Sequence, residues 1–469
     1  MMRCSIRRPL FRRSLIQQSI FLGVLVFAGL VRPLFGRENV HRTCQIRSTT
    51  FQGWAAEGIS NDWVQLSIVK ELGGRLMQVS FAGHPYLFVN PRYKGKYIPP
   101  AQANGQWINY GGDKLWPLPE GRGDKQHWDG PTSDVLDDGV YDLKVISQAL
   151  VCTVRLEGPA DPVTGLQYSR EISLRADSPQ ISFHAVMKNA TGNPIRWSMQ
   201  SVTQYDTSDV RNPAEYNRNF WAFTRINPLS GYFNGYQVRS GLADDPSFAV
   251  DGGLFKLHWL FLENEVWLDS VAGWLAVVDA ASQFAMVERF QPVKGADYPG
   301  KASLIFYKNG ASLQLDENGR PVLRSSEVES TPYYMEAEIN SPLVELQPGK
   351  TYSMDTSWWP TRADGQVREV VNAGVILSPL AVVAANDSIV LSGSYGVFFP
   401  GKLRAHLFDS RGVEGQTLDL ISVEPQTRVQ LHQEVRPSKR PARISIHLVD
   451  DQGNDRGSLG EAVVPTRPL

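Results

Sequence analysis

The chain of 469 residues sets 47 lysines and arginines against 48 acidic residues, for a formal net charge of −1. That balance gives no field to draw in nucleic acid, and the length suits one large β domain and a smaller one. With 40 glycines, 30 prolines and 12 tryptophans, the composition points to turns and aromatic-rich sheets and away from a helical bundle.

The N terminus carries Arg3, Arg7, Arg8, Arg12 and Arg13 without an acid, then an apolar run from Ile20 to Val31 closed by Arg32 and Pro33. The run fits the hydrophobic part of an export signal better than a full membrane span of roughly 20 residues. No small-x-small cleavage site follows it. A cleaved signal with a poor site, an uncleaved inner-membrane tether and an over-long start all stay open, and periplasmic or secreted placement is favoured. Residues 1–50 are therefore expected to be signal or anchor plus polar linker. Cys4, Cys44 and Cys152 are too dispersed for a zinc cluster. A Cys44–Cys152 disulfide suits an oxidising compartment, but spacing does not derive it, and two separate thiols are the plainer reading.

Taken in order, the runs 63–69 and 76–81 flank Glu71-Leu72-Gly73-Gly74-Arg75 and predict a hairpin. Residues 87–91 predict a short strand stopped by proline. Next comes Trp107 to Glu120, with Asn109, Gly111, Gly112, Asp113, Lys114, Trp116, Pro117 and Pro119 between. The glycine pair and the prolines predict a strand end running into an ordered loop rather than a simple strand. Asn109, Asp113, Lys114 and Glu120 would point into a groove floored by Trp107 and Trp116, which suits a ligand that is polar at its edges and apolar on its ring faces. The competing reading is a surface loop whose indoles cover a sheet edge. Residues 121–139 lack periodicity and hold His127, Trp128, Asp129, Asp134, Asp137 and Asp138; an irregular stretch of this length tends to shape a site.

Strands follow at 141–147, 151–156, 166–175 and 181–189. In the last, Ile181, Phe183, Ala185 and Met187 share one face, leaving His184 with Ser182, Val186 and Lys188 on the other. The turn 189–194 and the run 195–205, ending near Gln204 and Asp206, predict a hairpin over 181–205. Further short strands at 255–261, 266–268, 274–278, 284–290, 303–307 and 333–339 come without helical crossovers, which excludes a doubly wound parallel sheet. Within 333–339, Tyr333, Met335, Ala337 and Ile339 form an apolar face opposite Tyr334, Glu336 and Glu338. Two carboxylates on one face can bind sugar hydroxyls, and crowding would raise one pKa, which suits acid–base exchange; two exposed glutamates are the plain alternative. Residues 352–360 add Asp355 and a tandem tryptophan. Strands at 389–395, 403–407, 417–422, 428–433 and 443–448 predict a smaller sandwich with packing or partner-binding duty, frayed after Gly453.

Four stretches carry a family resemblance: Glu71 to Arg75, Asn109 to Glu120, the 189–194 turn, and Met335 to Pro342. Over roughly 55–365 the chain resembles the galactose-mutarotase-like proteins, and within them the bacterial DUF4380 family. The resemblance implies an all-β fold, an antiparallel supersandwich over 51–365 with a smaller C-terminal β-sandwich over 366–469, and a carbohydrate partner. It further implies a glutamate base, Glu336 or Glu338, and a histidine acid, His184 or His127. Lys114 would orient a sugar hydroxyl or carboxylate, and Trp116 would stack on a pyranose face. Asn109, Asp113, Glu120, Trp128 and Gln204 complete the candidate substrate-binding set. No cofactor is expected; the sequence has neither a calcium-loop ligand ladder nor a phosphate-binding glycine loop. Because this fold also serves binding proteins, an enzyme, a noncatalytic glycan-binding module and an envelope structural protein all remain open.

Overall fold

The computed structural model describes residues 42–121, 126–324, 333–385 and 388–465. The arginine-rich start and the apolar run lie outside them. Among the described residues no helix is long and apolar enough to cross a membrane. Residues Arg42–Leu469 form one compact unit.

The chain is all β, built from antiparallel sheets stacked as sandwiches. A 12-stranded sheet runs from Gln45–Phe51 at one edge, through Arg75–Phe81, Asp113–Leu118, Ile195–Asp206, Tyr334–Asn340, Leu304–Lys308 and Asn264–Leu268, to Gln237–Gly241 at the other. Strand pairing thus begins at Gln45, inside the stretch read as polar linker. A 10-stranded sheet packs against it, with Ile181–Asn189 flanked by Leu166–Arg175 and Thr351–Arg362. Alternation builds the core between them. Ile172, Ile181 and Phe183 face Leu66, Val79, Met335, Ala337 and Ile339, all at or below 3% exposure. Each fully buried aliphatic or aromatic side chain of this kind contributes about 1.5–3 kcal/mol.

The hairpin over the early glycines forms as expected, with Val64 opposite Phe81. Gly73 is held at φ 65, and a Cβ there would sit 1.8 Å from the Asp137 carbonyl oxygen, so only glycine allows the later loop to approach. Three elements differ from expectation. Residues 87–89 make isolated bridges, Leu87 to Tyr205 and Val89 to Gly111, instead of a strand. Ile181–Asn189 and Ile195–Asp206 are not a hairpin, because they belong to different sheets. Their turn is a corner tied by Asn189, whose side chain donates to the carbonyls of Asn193 and Leu346 and accepts from Thr191. And the chain beyond Gly453 is not frayed, since Asp455–Val463 pairs with Arg443–Asp450.

The C-terminal strands form two 4-stranded sheets. Their core is continuous with the outer face of the 10-stranded sheet: Trp274, Ala276, Val287 and Trp359 pack in one cluster with Val375, Phe398, Leu403 and Leu448. Cys44 and Cys152 are joined by a disulfide with Cα atoms 5.8 Å apart. It ties the residue just before the first strand of one sheet to a strand of the other, a pairing that spacing left open.

This disulfide closes a loop of 108 residues. Replacing both cysteines by serine is expected to remove about 2–5 kcal/mol of stability, read as a lower denaturant midpoint. The wild type should lose a similar amount under reducing conditions and the variant should not respond.

Candidate functional site

Residues 107–121 and 126–139 assemble the floor of a cleft. Gly111 and Gly112 adopt φ 93 and 77, and a Cβ on Gly111 would lie 2.1 Å from the Phe88 carbonyl oxygen. The glycine pair therefore leads into a strand, Asp113–Leu118, instead of out of one. Pro117 is tolerated there because Asp113–Leu118 pairs along its length only with Ile195–Asp206; its contact with Arg75–Phe81 ends at Asp113. Trp116 and Leu118 then face the cleft, while Asp113 faces the opposite way.

The acidic loop orients the indoles. Trp116 donates to Asp137 Oδ1 at 2.7 Å, Trp107 to Asp137 Oδ2 at 3.1 Å, and Trp128 to Asp134 Oδ2 at 2.6 Å. Asp134 Oδ1 accepts from the backbone N–H groups of Leu136 and Asp137, which fixes the turn itself. Arg75 balances the charge: its Nη2 lies 2.7 Å from Asp137 and 3.0 Å from Asp138, all three side chains fully buried. Burial and then Asp137 push the Asp138 carboxyl up to about 7, against the pull of Arg75. Such a buried ionic cluster is costly to break from one side.

The cleft opens over this floor with a volume of about 860 Å³. It crosses one face of the 12-stranded sheet as far as Gln237 and Arg239. Trp107, Trp116, Trp267, Tyr307 and Tyr334 supply its aromatic walls, and Glu120, Glu265, Glu336 and Glu338 its acids. His127 lines it from the loop closed by the Glu120–Trp128 bridge. Thus Glu336 and Glu338 meet Trp107 and Trp116 in one recess.

The two glutamates have different neighbours. Glu336 Oε1 accepts from Gln204 at 2.6 Å and lies 3.5 Å from Lys114 Nζ. Glu338 accepts from Gln200. Burial, then the neighbouring Glu336, Glu265 and Glu120, raise the Glu338 carboxyl well above its ordinary value. Burial also lowers Lys114, which Glu336 partly restores. Glu120 lies at the rim, exposed on one flank and crowded by protein on the other. The crowding, with Glu265 and Glu336, raises its carboxyl, tempered by that access to water.

Several candidate residues lie elsewhere. His184 is on the outer face of the 10-stranded sheet, 2.7 Å from Asp355, in a separate open groove of about 620 Å³ with Glu171 and Arg289. It cannot serve the glutamates, because the sandwich core lies between the two sheets. Trp128 is 2% exposed and packs behind Trp116 at 5.2 Å between ring centroids, supporting that indole without lining the cleft. Asn109 accepts from the Gly111 N–H and shapes the turn. Asp113 pairs with Arg170 and accepts from Thr203 at 3.0 Å, between the sheets. Lys114 and Gln204 lie beneath the lining as supports of Glu336. Lys114 Nζ is 4.3 Å from the Trp116 ring centre.

Sequence reading passed over Gln200, Arg239, Glu265 and Trp267. The strand expected at 266–268 begins at Asn264, and the alternation Glu265, Val266, Trp267 is the signal that would have placed Glu265 and Trp267 on one face. Among the described residues no group of His, Cys, Asp and Glu is placed to hold a metal ion.

No family model matches the chain, and no curated protein matches it. Among solved structures it is similar to a TPR-domain containing protein from Parabacteroides distasonis, at 12% identity and TM-score 0.42 over 67% of this chain and 48% of that one. The chain thus spans about half the length of that protein. It is also similar to a galactose mutarotase-like protein from Clostridium acetobutylicum (10% identity, TM-score 0.43, 68% of this chain and 99% of that one). A galactose mutarotase-like protein from Lactobacillus casei is similar at 10% identity and TM-score 0.39, over 65% and 99%.

Asp137→Asn leaves Arg75 with one carboxylate and is expected to cost about 3–5 kcal/mol of stability, with a change in tryptophan fluorescence as one of the two indoles meets an amide NH2 in place of its acceptor oxygen. Behind the cleft, Glu288 accepts from Tyr205 at 2.6 Å, and burial raises its carboxyl from 4.5 to about 8. The folded chain keeps a proton that the unfolded chain releases, so this group makes stability fall as pH rises from about 4.5 to about 8. Glu288→Gln should flatten that decline in denaturant midpoints measured across the interval.

Proposed function

We propose that the cleft binds carbohydrate and that Glu336 and Glu338 exchange protons at a sugar's anomeric centre. One juxtaposition carries the reading: two glutamates with different neighbours open into the same aromatic-walled recess as Trp107 and Trp116. Flat ring faces match the apolar faces of a pyranose, and polar groups at the rim match its hydroxyls.

In this reading Glu336, positioned by Lys114 and Gln204, takes the proton of the anomeric hydroxyl. Its oxygen becomes the aldehyde oxygen as the bond from C1 to the ring oxygen breaks. Glu338, whose burial among like charges favours the protonated acid, gives its proton to the ring oxygen. Rotation about the C1–C2 bond and closure on the other face return both protons and give the other anomer. His127, in the same cleft, is the alternative donor. The aldose-mutarotase chemistry implied by the sequence resemblance thus keeps its glutamate base but draws its acid from a second glutamate or from His127, not from His184. Membership of the DUF4380 family within that superfamily is part of the same proposal. So is a layout with the cleft in residues 51–365 and accessory packing in 366–469.

One observation favours recognition without exchange. Glu336 Oε1 already receives a lysine and an amide, so a sugar hydroxyl would have to share that oxygen with both. We also read the chain as exported. The arginine-flanked apolar run near its start and the Cys44–Cys152 disulfide support that placement.

Polarimetry on anomerically pure aldoses separates the readings. Exchange predicts acceleration by the wild type and a loss of roughly 10²–10⁴-fold in Glu336→Gln and in Glu338→Gln. Because Glu338 acts protonated, the rate should fall as pH rises through its raised pKa. Saturable sugar binding without acceleration leaves recognition alone, and neither response removes the carbohydrate reading.

A further inference from the structure

The donors of the cleft are largely consumed by the protein itself. The indole N–H groups of Trp107 and Trp116 go to Asp137, and that of Trp267 goes to Glu265. Lys114 and the Gln204 amide go to Glu336, and the Gln200 amide goes to Glu338. What remains turned toward a ligand is rich in acceptors. Glu120, Glu265, Glu336 and Glu338 line one recess, and Gln200, only 1% exposed, keeps its Oε1 buried without a hydrogen-bond partner. A buried carbonyl oxygen left unpaired in a cleft wall calls for a donor from outside.

The charge agrees. Against four carboxyl groups the cleft sets Arg239, which lies over Trp267 at 5.1 Å, with Lys114 beneath the floor and His127 at the loop. The acids outnumber the two fixed cations, and a uronate, sulfate or phosphate ester would add a further anion to a crowded set. A hydroxyl brings one donor and also needs acceptors' complements for its lone pairs. An ammonium group brings three donors and accepts nothing, and aromatic faces of the kind that wall this recess attract cations. Burial, and after it the neighbouring acids, raise the Glu338 and Glu265 carboxyls, and a bound cation relieves the like-charge part of that cost.

We infer that the cleft is selective for amine-bearing sugars, a saccharide carrying a free ammonium that sits among Glu265, Glu336, Glu338 and the Gln200 carbonyl oxygen. This rests on the carbohydrate reading above and narrows it to a substrate class.

The test is calorimetric titration of the full chain with three oligosaccharides of equal length: glucosamine oligomers, their N-acetylated counterparts and cello-oligomers. The expected result is binding of the glucosamine oligomer at least about tenfold tighter than either neutral ligand, about 1.4 kcal/mol. That preference should shrink in Glu265→Gln and return in Glu265→Asp. Glu120→Gln, at the exposed rim, gives a second reading should the first variant fold poorly. Equal or tighter binding of the neutral oligomers overturns the inference while leaving a carbohydrate cleft in place. A folded protein that binds none of the three overturns both.

Discussion

The cleft depends on one arrangement of buried charge. Three indole N–H groups, from Trp107, Trp116 and Trp128, end on two carboxylates of a single acidic turn, Asp134 and Asp137. Arg75 holds Asp137 and Asp138 from the far side. A tryptophan donates one hydrogen bond, so each ring is oriented by the acceptor it finds. Because Asp137 serves two of the rings and the arginine together, the floor is set as a unit. The glycine pair at 73–74 permits this closure, since at Gly73 any side chain would meet the Asp137 backbone.

The same economy governs the acids above the floor. Carboxylates are gathered where water is scarce, and each gains specific donors: Lys114 and Gln204 for Glu336, Gln200 for Glu338, Trp267 for Glu265. The two glutamines come from Ile195–Asp206, which flanks Tyr334–Asn340, and Lys114 and Trp267 stand one strand further out on either side, so the sheet's own order delivers them. Gln204 stands opposite Glu336, and Tyr307 stands opposite Glu336 on the other side. Two glutamates two residues apart on one strand, roughly 7 Å from Cα to Cα, then meet different neighbours. One takes a lysine and an amide at a single oxygen. The other, buried among like charges, is driven toward its acid. Two carboxyls in different environments suit a division of acid and base roles.

Legibility in the sequence followed the range of the interaction. Alternation over 166–175, 181–189 and 334–340 is a local property, and those strands stand close to where it put them. Which sheet a strand joins is decided by partners far along the chain. Ile195–Asp206 pairs with Tyr334–Asn340, and Ile181–Asn189 with Thr351–Arg362. No local pattern distinguishes those pairings from a hairpin, so alternation sets His184 off from the apolar face of its strand but does not reveal that this strand lies in a different sheet from Glu336 and Glu338. Parity was equally decisive at residues 113 and 114. Moving the strand start by one residue exchanges the faces, and Asp113 turned inward to Arg170 while Lys114 turned to the cleft side.

Lys114 is where the proposed binding and the proposed exchange meet. Seated over Trp116, its Nζ lies 3.5 Å from the Glu336 oxygen that also receives the Gln204 amide. A ligand group that reaches this oxygen must share it with the lysine or displace it. A ligand ammonium would compete with Lys114 for the same oxygen, and a neutral hydroxyl would leave the lysine contact intact. On the proposed reading, the class of sugar the cleft takes and its capacity for chemistry are therefore one question, posed at a single oxygen of Glu336.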